Sequence, residues 1–236
     1  MKLGISIILM ISVLGILLAC APKTPKTTEI VVLQDITDTY LTRPNSEELF
    51  SLFNFEDKWS GADLKLTDIT DVSYNTTTEV KLFAVNEWLS NELDRDKEIE
   101  KFKSDVKAVI TQYGNDKAGK SHSSIYLPLA RALNQLSDNK NQRKVLIVYS
   151  DLMENTNDLS FYRAKDLNQL KTQPEQIQEQ FEKLLPLKSL SGIEVYFINQ
   201  PMGDKSDQDF ETISKFYRTL LEAKGAKVNV SANINH

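Results

Sequence analysis

Residues 30–39 decide the fold: Ile30-Val31-Val32-Leu33-Gln34-Asp35-Ile36-Thr37-Asp38-Thr39. Four consecutive apolar residues, three of them β-branched, suit a strand buried on both faces. The run then gives way to oxygen-bearing side chains. Val145-Leu146-Ile147-Val148-Tyr149 repeats the pattern and is followed by Ser150-Asp151. Ile193–Ile198 is a third such run, and Val228-Asn229-Val230 a shorter, terminal one. Leu64, Leu66, Val80 and Leu82 alternate with polar residues around a turn near Asn75, which predicts a half-exposed hairpin or edge strands.

Helical spacing fills the intervals. Ile99, Phe102, Val106, Val109, Ile110 and Tyr113 form one stripe, stopped by Gly114. Tyr126, Leu129, Leu133 and Leu136 form a second. Ile177, Phe181, Leu184 and Leu185 form a third, closed by Pro186. Phe210, Ile213, Phe216, Tyr217, Leu220 and Leu221 form a fourth, with Gly225 as its cap. These stripes read as core faces. Apolar strands alternating with amphipathic helices imply an α/β fold: a doubly wound, mostly parallel sheet, helices on both faces and one antiparallel edge strand.

Composition narrows the chemistry. The 28 basic and 33 acidic side chains give a mildly acidic chain, against a nucleic-acid footprint. One cysteine excludes an intramolecular disulfide framework, and two histidines argue against a multi-histidine zinc centre. No Gly-x-Gly-x-x-Gly or Gly-Lys-Ser/Thr loop supports nucleotide binding.

The start of the chain is an address. Lys2 precedes a charge-free run over residues 3–19, which reads as a signal peptide. Leu17-Leu18-Ala19-Cys20 resembles the lipobox of bacterial lipoproteins, in which the cysteine is lipidated and becomes the first residue. The expected organisation is a signal peptide over 1–19, a lipidated Cys20 with a proline- and lysine-bearing tether over 20–28, and one domain over 29–236. The implied location is the bacterial cell envelope, anchored to a membrane outside the cytoplasm.

In a doubly wound sheet, ligands bind beyond the carboxyl ends of the strands at the switch point. The residues there are Asp35, Thr37 and Thr39 after the first strand, Ser150 and Asp151 after another, and Ser121, His122, Ser123 and Ser124 before a helix. Such oxygen donors suit a hard divalent cation. The set resembles the von Willebrand factor A domain and its metal-ion-dependent adhesion site. Asp35, Thr37 and Thr39 match that family's Asp-x-Ser-x-Ser motif, with threonine in place of both serines. Asp151 matches its later aspartate, although Leu152 stands where the family often has glycine. Ser123 is the loop ligand, with Ser124 and Ser121 as alternatives. The resemblance implies a Mg²⁺ site, or one for Mn²⁺ or Ca²⁺, that accepts an aspartate or glutamate from a partner protein. It implies no catalysis.

Other readings follow from the same residues. Losing the metal leaves a protein-binding module of the same fold. A haloacid dehalogenase-like phosphatase would use Asp35 as nucleophile, but Thr37 stands where that family has its second aspartate. His122 beside Ser123 is the only serine-hydrolase arrangement in view. The segment 152–172 following Asp151 reads either as a specificity loop or as a solvated connector.

Overall fold

The computed structural model describes residues 26–36, 42–69, 76–113, 123–200 and 203–234. Six strands form one sheet: β1 (Thr27–Asp35), β2 (Gly61–Ile69), β3 (Thr77–Leu82), β4 (Arg143–Tyr149), β5 (Ile193–Ile198) and β6 (Lys227–Ser231). Their order is β3-β2-β1-β4-β5-β6. All neighbours are parallel except β2 and β3, which pair antiparallel, Leu64 opposite Val80 and Ala62 opposite Leu82. This is the doubly wound sheet with one antiparallel edge strand that the alternation of strands and helices implies. β1 starts at Thr27, inside the segment read as tether.

Six α-helices are described: α1 (Ser46–Leu52), α2 (Glu92–Tyr113), α3 (Tyr126–Asp138), α4 (Ala164–Thr172), α5 (Pro174–Leu184) and α6 (Asp204–Glu222). Because successive strand residues face opposite sides, β1 feeds two cores. Ile30 and Val32 pack with Val145, Ile147 and the stripe Ile99, Phe102 and Val106 of α2. Val31 and Leu33 pack with Leu146 and Val148 and with Tyr126, Leu129 and Leu133 of α3. Phe181 of α5 stacks on Tyr126, with centroids 4.1 Å apart. Gly225 adopts φ +98°, the left-handed conformation that ends α6.

Two helices escape the hydrophobic pattern. α1 has seven residues and only Leu49 and Leu52 buried, too short for a visible period; Asn45 caps it by accepting from Glu47 and Glu48 N–H. α4 lies within 152–172 and buries Leu170 and Asp166. Leu152, Glu154, Leu159, Ser160 and Phe161 are buried too, so this segment is a packed part of the domain and not a solvated connector.

The chain reverses its winding between β1 and β4. α1 and α2 cover one face, and α3, α5 and α6 cover the other. The carboxyl ends of these two strands therefore mark the switch point, where sheets of this kind bind ligands.

Candidate functional site

Register places Gln34 of β1 beside Tyr149 of β4, so Asp35 and Ser150 leave the sheet side by side. The Ser150 hydroxyl donates to Asp35 Oδ2 at 3.2 Å, and both residues are buried. The same Ser150 Oγ accepts the Leu152 N–H at 2.9 Å. Asp151 Oδ1 accepts the Met153 N–H at 2.9 Å, and its Oδ2 accepts the Tyr162 hydroxyl at 3.3 Å. The turn after β4 is thus tied by its own serine and aspartate.

Leu152 takes φ +62°. A left-handed backbone is the conformation that glycine takes most readily. Such a conformation costs a non-glycine residue about 1–2 kcal/mol. The Leu152 side chain lies in the α3 core, where full burial of a leucine contributes about 1.5–3 kcal/mol. Packing outweighs the strain.

Ser123 is brought to the same turn. Its carbonyl accepts the Asn155 N–H at 2.8 Å, and its hydroxyl donates to Met153 O at 3.4 Å. The joining residue is Glu154, which sequence reading did not single out. Its Oε2 accepts the N–H groups of Ile125 and Tyr126, each at 2.9 Å. α3 carries no side-chain cap of its own, so Glu154 satisfies donors a helix start leaves open. Burial pushes the Glu154 carboxyl up to about 7, against the lowering by the two N–H bonds and a Ser124 bond, with Asp35 adding repulsion. The one signal available was an acid set within Leu152-Met153-Glu154, where the neighbours point inward.

Asp35, Ser150, Asp151 and Ser123 therefore gather at one end of the sheet. Thr37, Thr39, Ser121, His122 and Cys20 lie outside the described residues. Beside Asp151 a cavity of about 890 Å³ opens, walled by Met153, Phe161, Tyr162, Asn199 and Phe210. Apolar side chains share its lining with polar and charged ones, among them Asp151, Lys171 and Asp209.

Among the described residues, no three histidine, cysteine, aspartate or glutamate side chains gather as a metal-holding group. An ion at this end of the sheet would depend on hydroxyls and water as much as on carboxylates. The donor set is all oxygen, which fits a hard cation.

No family model matches the chain, and no curated protein matches it. Several solved structures match the chain, two of which follow. A mutant of the PilB minor pilin from Streptococcus sanguinis shares 12% identity at a TM-score of 0.48, over 90% of this chain and 59% of that one. The present chain thus spans 59% of the pilin's length. An aerotolerance-related membrane protein from Bacteroides fragilis, carrying multiple mutations to serine, shares 9% identity at a TM-score of 0.40, over 86% of this chain and 91% of that one. Among the described residues, no helix is long and apolar enough to cross a membrane.

Proposed function

We propose that this chain is a lipid-anchored, extracytoplasmic binding module of von Willebrand A type, taking an acidic side chain of a partner protein through Mg²⁺ at the carboxyl end of its sheet. One observation carries the reading: the 3.2 Å bond between Ser150 and Asp35, which puts the two strand ends and their oxygens at one point. Asp35, Thr37, Thr39, Ser123 and Asp151 would hold the ion. When bound, the ion supplies positive charge that an incoming carboxylate can share. Glu154 keeps the Ser123 loop and the Asp151 turn on one frame. Tyr162, exposed and bonded to Asp151, stands at the pocket mouth, where a partner makes first contact.

The test is calorimetric titration of the full chain in detergent with Mg²⁺, wild type against Asp35→Ala and the isosteric Asp35→Asn. The reading requires heat in the wild type that both variants lose; equal heats remove it. A second reading has support of its own. Both oxygens of Asp151 already accept protein hydrogen bonds, which suits a metal-free module with the same binding face. That reading expects no Mg²⁺ heat and partner binding insensitive to a chelator. Hydrolysis of an aryl phosphate, lost in Asp35→Asn, would support the phosphatase alternative instead.

A further inference from the structure

The opposite end of the sheet carries a feature that the binding face does not explain. Four large apolar side chains close together in sequence are exposed: Phe83 at 76%, Trp88 at 73%, Leu89 at 87% and Leu93 at 72%. They follow the edge strand β3, span the short 3₁₀ turn Glu87–Leu89 and enter the first turn of α2. Scattered exposed leucines are ordinary; four large apolar side chains within eleven residues, each more than 70% exposed, mark an interaction surface.

The cluster sits where the chain enters the domain. β3 runs antiparallel, so its end at Leu82 lies opposite Ala62, which pairs with Thr28 at the start of β1. A Cβ placed on Gly61 would lie 2.7 Å from Thr27 Oγ1 and 2.8 Å from the Ala84 nitrogen, so the residue after Phe83 is packed against the chain entry. Lys26, Trp59, Glu87 and Glu92 line one cleft. The six residue steps from Cys20 to Lys26 reach at most about 20 Å.

The base of the cluster is rigid. The buried Arg95 guanidinium donates to Lys58 O and Ser60 O, each at 2.6 Å, and to Phe83 O at 3.0 Å. The charges around the cluster are mostly acidic: Lys58 bridges Glu92 at 2.8 Å and Asp96 at 3.0 Å, Lys97 meets Asp94 at 3.1 Å, Arg95 meets Glu98 at 2.9 Å, and Glu87 stands next to Trp88. Apolar area, not attraction to charged headgroups, must then drive any contact.

We infer that Phe83, Trp88, Leu89 and Leu93 form a wedge that inserts into the interfacial layer of the bilayer to which the chain is anchored. The inference rests on the lipid-anchor reading of Cys20. A tryptophan flanked by exposed apolar residues suits the headgroup boundary. Insertion there stands the sheet on its amino end. The nine-residue β1 then carries Asp35 about 26 Å away from the wedge, facing outward.

The full chain is purified from membranes and reconstituted in phosphatidylcholine vesicles whose acyl chains carry bromine near the glycerol. The chain has two tryptophans, so Trp59→Phe isolates Trp88 and Trp88→Phe supplies the background. Mass spectrometry of the Cys20 peptide reads lipidation separately. The wedge requires Trp88 emission that is blue-shifted and quenched by bromine. It also requires roughly tenfold weaker vesicle partitioning per truncated side chain in Trp88→Ala and Leu89→Ala made on Cys20→Ser. Trp88 left open to aqueous iodide on a lipidated, vesicle-bound chain overturns the wedge and leaves the anchor standing. Quenched Trp88 on a chain without lipid on Cys20 supports the wedge and overturns the anchor. Trp88 shielded in native membranes but not by lipid alone means that a protein covers it, and overturns the wedge.

Discussion

The carboxylate of Glu154 lies 2.9 Å from the backbone nitrogen of Tyr126, twenty-eight residues earlier in the chain. It closes the start of α3 from outside the helix and welds the turn after β4 to the loop bearing Ser123. Glu154→Ala leaves the Ile125 and Tyr126 donors buried without an acceptor, each costing about 1–3 kcal/mol. Urea unfolding should show a loss of about 3 kcal/mol. Glu154→Gln keeps one acceptor oxygen and should lose about 1 kcal/mol. A loss in the alanine variant no larger than in the glutamine variant would remove the weld.

The same group sets a pH slope. Its folded pKa is raised from 4.5 to about 7. Between those values the folded state holds the proton more than the unfolded state does, so stability falls as pH rises. The contribution is complete below pH 4.5 and lost on passing pH 7. The gap between the unfolded and folded values corresponds to about 3 kcal/mol. Urea midpoints from pH 4.5 to 8 should show wild type losing ground against Glu154→Gln. Parallel curves would show that Glu154 is not the source.

Glu29 slopes the other way. It is buried at the start of β1 and accepts from Lys65 at 2.7 Å, Asn139 at 2.6 Å and Asn141 at 2.7 Å. Burial alone would raise its pKa. The Lys65 and Asn141 bonds, the Lys65 charge and the Asn139 bond overcome this and hold the carboxyl below its ordinary value of 4.5. The unfolded state then takes the proton first on acidification. The contribution is present above pH 4.5 and lost as pH falls through the lower, folded pKa. Glu29→Gln should cost about 1–3 kcal/mol at pH 7. It should also flatten the acid limb of a pH series of urea midpoints; an unchanged acid limb would count against this.

The sheet was legible because buried parallel strands must be continuously apolar, and Val31 to Leu33 and Leu146 to Val148 are. α2, α3, α5 and α6 were legible because their stripes are long enough to show a period. α1, with two buried leucines in seven residues, is held by its Asn45 cap and its packing, which no period reveals. The placing of Asp35 and Asp151 just beyond strand ends was legible from the apolar runs before them. Glu154 was not, because its partners are backbone N–H groups and a backbone donor leaves no mark in sequence. Leu152 is hidden in a related way. The turn keeps its left-handed residue, and the leucine side chain is compensated by burial in a core that sequence distance conceals.

That compensation brings two variants unusually close. Leu152→Ala loses the buried side chain and keeps the strained φ, so it should cost about 2–5 kcal/mol. Leu152→Gly also loses the buried β-carbon, about 0.8 kcal/mol, and about 0.5–1 kcal/mol of chain entropy, but it releases about 1–2 kcal/mol of backbone strain. These differences nearly cancel, so the two variants should lie within about 0.5 kcal/mol of each other. At an ordinary buried helical or extended residue alanine is the better by about 1.5 kcal/mol. Urea unfolding of the two variants side by side decides it, and an alanine variant more stable than the glycine one by about 1.5 kcal/mol would mean that the turn relaxes out of the left-handed region.

Arg95 tests how the apolar cluster is held. Its guanidinium joins three carbonyls from two segments, Lys58, Ser60 and Phe83, that nothing in sequence connects. Truncation to alanine strips these acceptors of a charged donor, at about 1–3 kcal/mol for each that stays buried. A loss of about 3 kcal/mol is expected even if water reaches one of them. Lysine has a single donor head and lacks the planar fork, so Arg95→Lys should recover only part of this. The damage should also be local. The Val85 N–H, bonded to Trp59 O at 3.0 Å, should exchange with solvent faster in Arg95→Ala by more than the global loss accounts for. The Leu129 N–H of α3 should change only by the global amount. Equal acceleration at both amides would mean that Arg95 supports the domain as a whole and not the 83–93 segment in particular.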